Sequence, residues 1–147
     1  MPIIIERTIT FDNISSFIQT AGTGLMRMGI YSDSGSFSPQ NLIVDGGIER
    51  DLAGGLKQGS VGNFTLTPGL YWGCLIKNAT ATFFTVQQSN PGNLAFIGLS
   101  APSSSSFTNG RSGSLAYTSL PTSPAMPATA PTTALTATVP AIYLRTA

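Results

Sequence analysis

The centre of the chain carries the run Thr65-Leu66-Thr67-Pro68-Gly69-Leu70-Tyr71-Trp72-Gly73-Cys74-Leu75-Ile76. This run predicts the end of one strand, a turn, and a second strand that is apolar on both faces. Pro68 pre-sets φ for the turn, and Gly69 can take the positive φ that follows. One face of the second strand carries Leu70, Trp72, Cys74 and Ile76, and the other carries Tyr71, Gly73 and Leu75. Such a strand is usually central in a sheet or covered on its second face, so we expect the core to form against it.

The composition describes a single domain with few charges. The chain has 147 residues, a net charge of +1 and only 9% charged residues, against about 25% in ordinary domains. Binding to nucleic acid is not expected, because neutralising phosphates requires clustered Lys and Arg. Disorder of the whole chain is not expected either, because the chain is apolar enough to collapse. A neutral surface rich in Ser and Thr tolerates close packing against other protein, which hints at assembly.

The sequence shows no sign of a disulfide framework or a membrane segment. It contains one Cys, and no apolar run reaches the roughly 18–20 residues that a membrane helix needs. Residues 1–7 lack the basic and long apolar regions of a secretory signal. We therefore expect a protein that is made in a cytoplasm and stays there or is released by lysis.

Short β-prone segments recur along the chain with turn residues between them. This spacing predicts an all-β fold of about eight to ten strands, namely a single jelly-roll-like antiparallel β-sandwich with a Pro/Ser/Thr-rich extended arm. The predicted strands span residues 3–10, 14–20, 25–31, 41–45 with 48–52, 60–67, 70–76, 80–86, 94–99, 115–118 and 139–145. The predicted divisions are an N-terminal strand or arm (1–24), the sandwich core (25–100), a loop or arm (101–138) and a closing strand (139–147).

Local turn chemistry adds four detailed expectations. A turn is expected at Asp12-Asn13, and Gly46-Gly47 is expected to end a strand. In the turn 32–36, Asp33 can accept a bond from the backbone two residues on, and Gly35 can take a positive φ. The strand over residues 60–67 has Val61 out of phase with the apolar residues that follow it, which predicts a bulge near Gly62.

The Ser/Pro/Thr-rich stretch over residues 101–138 has two interpretations. A stretch of this composition is often a disordered linker. A strand-like segment follows it, however, so an ordered loop or an extended arm packed on a neighbour is the favoured interpretation.

The residues offer little catalytic chemistry. The chain has no His, which removes His-activated nucleophiles and the commonest metal ligand. Cys74 lies mid-strand among apolar residues and is expected to be structural. The six carboxylates end at Asp51; Glu49 and Asp51 have a spacing that a glycosidase pair could adopt, but a solvated strand face is favoured.

Binding of metals or phosphate is not expected either. Asp33 and Asp45 flank glycines in turns, and one Asp per turn indicates an Asx-turn rather than a calcium site. Gly54-Gly55 lacks the spacing of a phosphate-binding loop. We predict a protein that is not an enzyme and that has no cofactor.

Three blocks of the sequence resemble a β-sandwich module that recurs in structural proteins of tailed bacteriophages. They are Gly29–Gly35, Asn41–Gly47 and Leu66–Trp72, and the ending over residues 120–122 and 139–145 is similar as well. The resemblance covers most of the chain from about Leu25. The segment Ser38-Pro39-Gln40 departs from the family, which often has Pro-Gly there; the difference alters a loop and not the fold.

The resemblance implies a non-enzymatic part of a virion, located on a tail fibre, a baseplate or the head surface. Only about 24 residues precede the module, which leaves no room for the attachment domain and shaft of a tail fibre. We therefore expect a capsid decoration (cement) protein that is assembled in the host cytoplasm and binds the major capsid protein or another virion protein. Members of this class are often trimeric, and the low-charge surface also favours a homotrimer.

Two sets of residues are predicted to bind partners. The β-branched run Ile3, Ile4 and Ile5 could add to the sheet edge of a neighbour, and the 101–138 arm could lie across the capsid. The alternative function, a receptor- or glycan-binding module that takes a host surface glycan, points to Phe107, Asn109 and Arg111. A loop aromatic such as Phe107 more often anchors its own loop, and Trp72 is expected in the core. A further alternative is a β-sandwich subunit of an assembly unrelated to bacteriophages.

Overall fold

The computed structural model describes residues 1–49, 52–87, 113–114, 126–130, 134–135 and 138–147. All regular structure in these ranges is β-strand, and they contain no helix long and apolar enough to cross a membrane. The strands in chain order are β1 (Pro2–Ile5), β2 (Ile9–Thr20), β3 (Gly24–Asp33), β4 (Pro39–Glu49), β5 (Gly55–Leu66), β6 (Gly69–Ala79), β7 (Thr82–Phe83), β8 (Thr85–Gln87), β9 (Gly113–Ser114), β10 (Ala134–Leu135), β11 (Thr138–Pro140) and β12 (Tyr143–Thr146).

Two larger antiparallel sheets form the body of the protein. The first sheet has the strand order β1-β6-β3-β4, and the second has the order β12-β2-β5 with β7 paired to β2. Two-stranded pairs join β10 to β9 and β11 to β8. The predicted all-β antiparallel class is confirmed, and the arrangement is compatible with a β-sandwich. Residues 1–24 supply β1 to one sheet and β2 to the other.

The strand β6 has apolar residues on both faces, as predicted, and lies between β1 and β3. Tyr71 and Leu75 pack against the main core, which joins the two sheets and contains Ile14, Ile18, Met26, Met28 and Ile30. The opposite face of β6 carries Trp72 into a second cluster with Tyr31 and Met126, and this cluster also contains Leu70, Cys74 and Ile76. The one Trp is therefore a core residue, as expected.

The Pro68-Gly69 turn is correctly placed but differs from its predicted form. Gly69 does not take a positive φ; it is an extended residue paired with Ile5. The turn joins β5 of the second sheet to β6 of the first, so it connects two layers instead of closing a hairpin. An extended connection between layers does not require the left-handed conformation.

Of the four detailed expectations from local turn chemistry, two are wrong and two are confirmed. Asp12-Asn13 lies within β2, and β4 continues through Gly46-Gly47 to Glu49. The bulge near Gly62 is present, since pairing with β2 passes from Phe64 to Ser60 while β2 advances only from Phe11 to Asn13. In the turn after β3, the Gly35 N–H donates to Oδ2 of Asp33 at 2.7 Å, and Gly35 has φ of 85°.

The end of the chain forms two strands and not one. β11 pairs with β8, whereas β12 pairs with β2 in the second sheet. Between them, Ala141 and Ile142 are buried. The predicted strands over residues 94–99 and 115–118 lie outside the described residues.

Candidate partner-binding surfaces

The predicted partner-binding run at the N-terminus forms β1, an edge strand of the first sheet. Its ladder with β6 extends to Met1, whose amino group donates to the Gly73 carbonyl at 2.7 Å and whose carbonyl accepts from the Gly73 N–H at 2.7 Å. Bonded and non-bonded pairs alternate in an antiparallel ladder. The main-chain groups of Ile3 therefore bond to β6, as do those of Ile5, whereas those of Pro2 and Ile4 point away from it.

The three isoleucines differ in their exposure. Ile5 is buried in the main core at 7% exposure, and Ile3 packs partly against the same core. The Ile4 side chain lies on the other face of the sheet and is 57% exposed. Within the described part of the chain, Ile4 is the residue of this run whose side chain is exposed and whose main-chain groups are not bonded to another strand.

The thiol of Cys74 and the amino group of Met1 interact electrostatically. Burial lowers the pKa of the Met1 amino group and raises the pKa of the Cys74 thiol. Cys74 is a free cysteine in the second cluster, so its surroundings fit the structural role expected from the sequence.

At the other edge of the first sheet, β4 is joined by residues 126–130, which we call the strap. The Leu42 N–H donates to the Ala128 carbonyl at 2.8 Å, and the Ala130 N–H donates to the Gln40 carbonyl at 2.6 Å. Thr129 forms an antiparallel bridge with Asn41. The described part of the predicted 101–138 arm therefore includes a segment that extends this chain's own sheet.

One side chain of the strap is buried in a fitted pocket. Met126 is 4% exposed and packs in the second cluster with Tyr31 and Trp72. A Cβ placed on Gly29 would lie 3.1 Å from Cε of Met126, so the glycine leaves room for the methionine. The Tyr31 hydroxyl donates to the Pro127 carbonyl at 2.8 Å, and burial is the main cause that raises the pKa of Tyr31.

Asp45 anchors the strap. Its carboxylate accepts two bonds from the guanidinium of Arg27, at 2.7 and 2.8 Å, one from the Met126 N–H at 2.8 Å and one from the Gly47 N–H at 2.9 Å. Burial by itself would raise the pKa of Asp45, but these bonds and the charge of Arg27 outweigh it and hold the pKa below its ordinary value. The bond from Gly47 is the Asx-turn expected from the sequence.

The described residues contain no group of three Cys, Asp or Glu side chains that could hold a metal ion. Asp51 lies outside the described residues, as do Phe107, Asn109 and Arg111. The solvated strand face predicted for Glu49 and Asp51 and the predicted glycan site therefore stay predictions.

The outer face of the second sheet exposes several large apolar side chains. Phe17 and Phe84 pack edge to face, with ring centroids 5.0 Å apart. Leu56 lies opposite Phe17, and Tyr143 lies opposite Ser15. We call these four exposed side chains, Phe17, Leu56, Phe84 and Tyr143, the aromatic face. Sequence periodicity did not single it out, because an exposed aromatic in a strand has the same pattern as a buried one.

No family model matches the chain, and no curated protein or solved structure is found to be similar to it.

Within the described part of the chain, the two edges of the first sheet differ in whether another segment pairs with them. β4 is joined by the strap, whereas β1 is paired only with β6. An unpaired edge with an exposed apolar side chain is a surface that another chain can join.

Proposed function

We propose that this chain is a non-enzymatic structural protein of a tailed-bacteriophage virion, a capsid decoration (cement) protein that stabilises the outer head surface. The family is supported by the three sequence blocks that resemble the phage β-sandwich module. The docking mode is supported by one structural observation: among the described residues, the outer edge of β1 is unpaired, and Ile4 is exposed on it. We propose a jelly-roll form of the sandwich and a homotrimer as parts of the same hypothesis.

The β1 edge would bind the major capsid protein by strand addition. The N–H and C=O of Ile4 and the C=O of Pro2 point outward from the sheet and can pair with a neighbouring strand. Complete burial of an isoleucine is worth about 1.5–3 kcal/mol, and Ile4 is already partly covered. A single contact of this kind is weak, so repetition over a lattice and closure into an oligomer would supply the avidity.

The number of copies per particle tests this proposal. Purified virions should contain hundreds of copies, and these should remain with heads after heads and tails are separated. Quantitative mass spectrometry of the two fractions measures this. A few copies that follow the tails would favour the alternative function, and absence from virions would overturn both.

Substitution on the exposed side of β1 tests the docking mode. Ile4→Lys should lower head occupancy by about tenfold or more, because a charge replaces the apolar contact. Ile43→Lys, at another exposed isoleucine of the same sheet, is the matched control and should bind normally. Point substitutions are preferable to a deletion of residues 1–10, which would also remove the core residue Ile5.

A receptor- or glycan-binding module remains the second candidate, and the aromatic face favours it. Flat exposed aromatic rings such as Tyr143 and Phe84 are surfaces on which sugars stack. If this candidate is correct, Tyr143→Ala should abolish adsorption to host cells while the amount of the protein in the virion stays unchanged. Unchanged adsorption would remove the support that the aromatic face gives.

A further inference from the structure

The strap occupies a groove with a defined shape on the outer face of the first sheet. We call the residues that receive it the strap groove: Gly29, Tyr31, Leu42, Asp45 and Trp72. Each contributes a different element of recognition. Asp45 accepts the Met126 N–H and Tyr31 donates to the Pro127 carbonyl, while the edge of β4 supplies the main-chain bonds. Together these residues bind an extended segment whose first residue has a long, flexible apolar side chain.

The strap is biased toward the required conformation by its own sequence. Met126 precedes Pro127 and Ala130 precedes Pro131, and a residue before proline is restricted to extended backbone. Pro127 has no N–H, and none is needed there, since the strap donates through Met126 and Ala130 and accepts through Pro127 and Ala128. A segment that is extended before it docks loses less conformational entropy when it binds.

None of these contacts requires that groove and strap belong to the same molecule. The anchoring bonds join residues that are 81 and 96 positions apart in the sequence. The same bonds can therefore form between two copies, provided that the strap leaves its own groove while β11 and β12 stay paired with β8 and β2. Effective concentration then sets the balance.

We propose that the strap groove is a strand-receiving site for the strap of a second copy of this chain, so that neighbouring copies can exchange straps. The site lies on the first sheet at the edge opposite β1. It does not depend on the function proposed above, because any assembly that brings copies close together would favour exchange. In a crowded array the exchange would link each copy to the next.

Complementary full-length variants test the exchange. The acceptor carries Met126→Asp, which places a charge in the pocket beside Asp45 and disables its own strap. The donor carries Gly29→Val, which blocks its own groove, since even a Cβ at this position would lie 3.1 Å from both Met126 Cε and the Val44 carbonyl oxygen. The donor also carries Trp72→Phe, so that all tryptophan emission comes from the acceptor, because the chain has one Trp.

The emission of Trp72 should shift to longer wavelength in the acceptor and return saturably toward the wild-type position as donor is added. A donor that also carries Met126→Asp should have no effect. A peptide with the sequence of residues 124–131 should reproduce the return, and its Met→Asp form should bind at least about tenfold more weakly.

If the acceptor does not fold, Met126→Ala takes its place, because it empties the pocket without adding a charge. The peptide replaces the donor if the doubly substituted chain does not fold. A folded acceptor whose emission does not respond to a folded donor overturns the proposal, even if it responds to the peptide. Where no donor folds, the lack of any response to the peptide overturns it.

Discussion

The indole N–H of Trp72 donates a hydrogen bond of 2.7 Å to Oδ1 of Asp33, 39 residues earlier in the chain. The other oxygen of Asp33 accepts the Gly35 N–H and closes the turn after β3. One carboxylate therefore ties the core strand β6 to the turn that leads into β4. Because Trp72 is buried, its N–H cannot exchange this acceptor for water without a cost.

Substitution of Asp33 should show how much this link contributes. Asp33→Ala leaves a buried donor unsatisfied and opens the turn, so the free energy of unfolding should fall by about 1–3 kcal/mol. Asp33→Asn retains an oxygen for the indole but loses the acceptor for Gly35, and its effect should be smaller. Urea unfolding followed by Trp72 fluorescence measures both. Equal losses in the two variants would show that the indole bond is unimportant.

Stability should depend on pH through Asp45. Its pKa is lowered in the folded protein from an ordinary value of 3.8, so its contribution is present above that value and is lost as the pH falls through the folded-state pKa. Asp45→Asn should therefore be less stable than wild type at neutral pH, and the difference should disappear in strong acid. Urea unfolding at several pH values tests this.

Asp12→Asn is the control for this experiment. Hydrogen bonds from Arg145 are the main cause that lowers the pKa of Asp12, but the pair is exposed and contributes little to stability. The stability of Asp12→Asn should therefore depend on pH in the same way as that of the wild type, because Asp45 is unchanged. A stability difference between wild type and Asp45→Asn that persists in strong acid would contradict the assignment.

Two glycines of β5 should respond differently to alanine. A Cβ on Gly59 would lie 2.5 Å from the carbonyl oxygen of Gly46, so Gly59→Ala must separate the backbones of β4 and β5. We expect a loss of about 1–3 kcal/mol or more. Around Gly62, no atom would lie within 4 Å of the added carbon, and Gly62→Ala should change stability by no more than about 0.5 kcal/mol. Similar thermal midpoints for the two variants would contradict the close approach of Gly59 to Gly46.

The main core should be sensitive at Ile14, which is fully buried on β2. Ile14→Ala should reduce the free energy of unfolding by about 2–5 kcal/mol, because it removes buried apolar surface and leaves a cavity. Ile43→Ala replaces an isoleucine that is 41% exposed on β4, and it should reduce the free energy of unfolding much less. Chemical denaturation compares the pair, and equal losses would mean that the core does not lie between the sheets.

The sequence alone was sufficient for features set by nearby residues. Alternation along β6 predicted its two apolar faces, because side chains on a strand point to opposite sides whatever the strand pairs with. The bonds from Gly35 to Asp33 and from Gly47 to Asp45 span only two residues and were predictable as well. The absence of His from the sequence likewise removed His-activated nucleophiles from the possible chemistry.

Tertiary structure decided which strands became neighbours and what covered the second face of β6. The Pro68-Gly69 turn has the sequence of a hairpin connection, yet it joins two sheets, because β5 pairs with β2 and β6 pairs with β1 and β3. Met126 reaches Trp72 only because the strap joins β4. Such contacts depend on close packing between residues far apart in the chain, and local alternation carries no information about them.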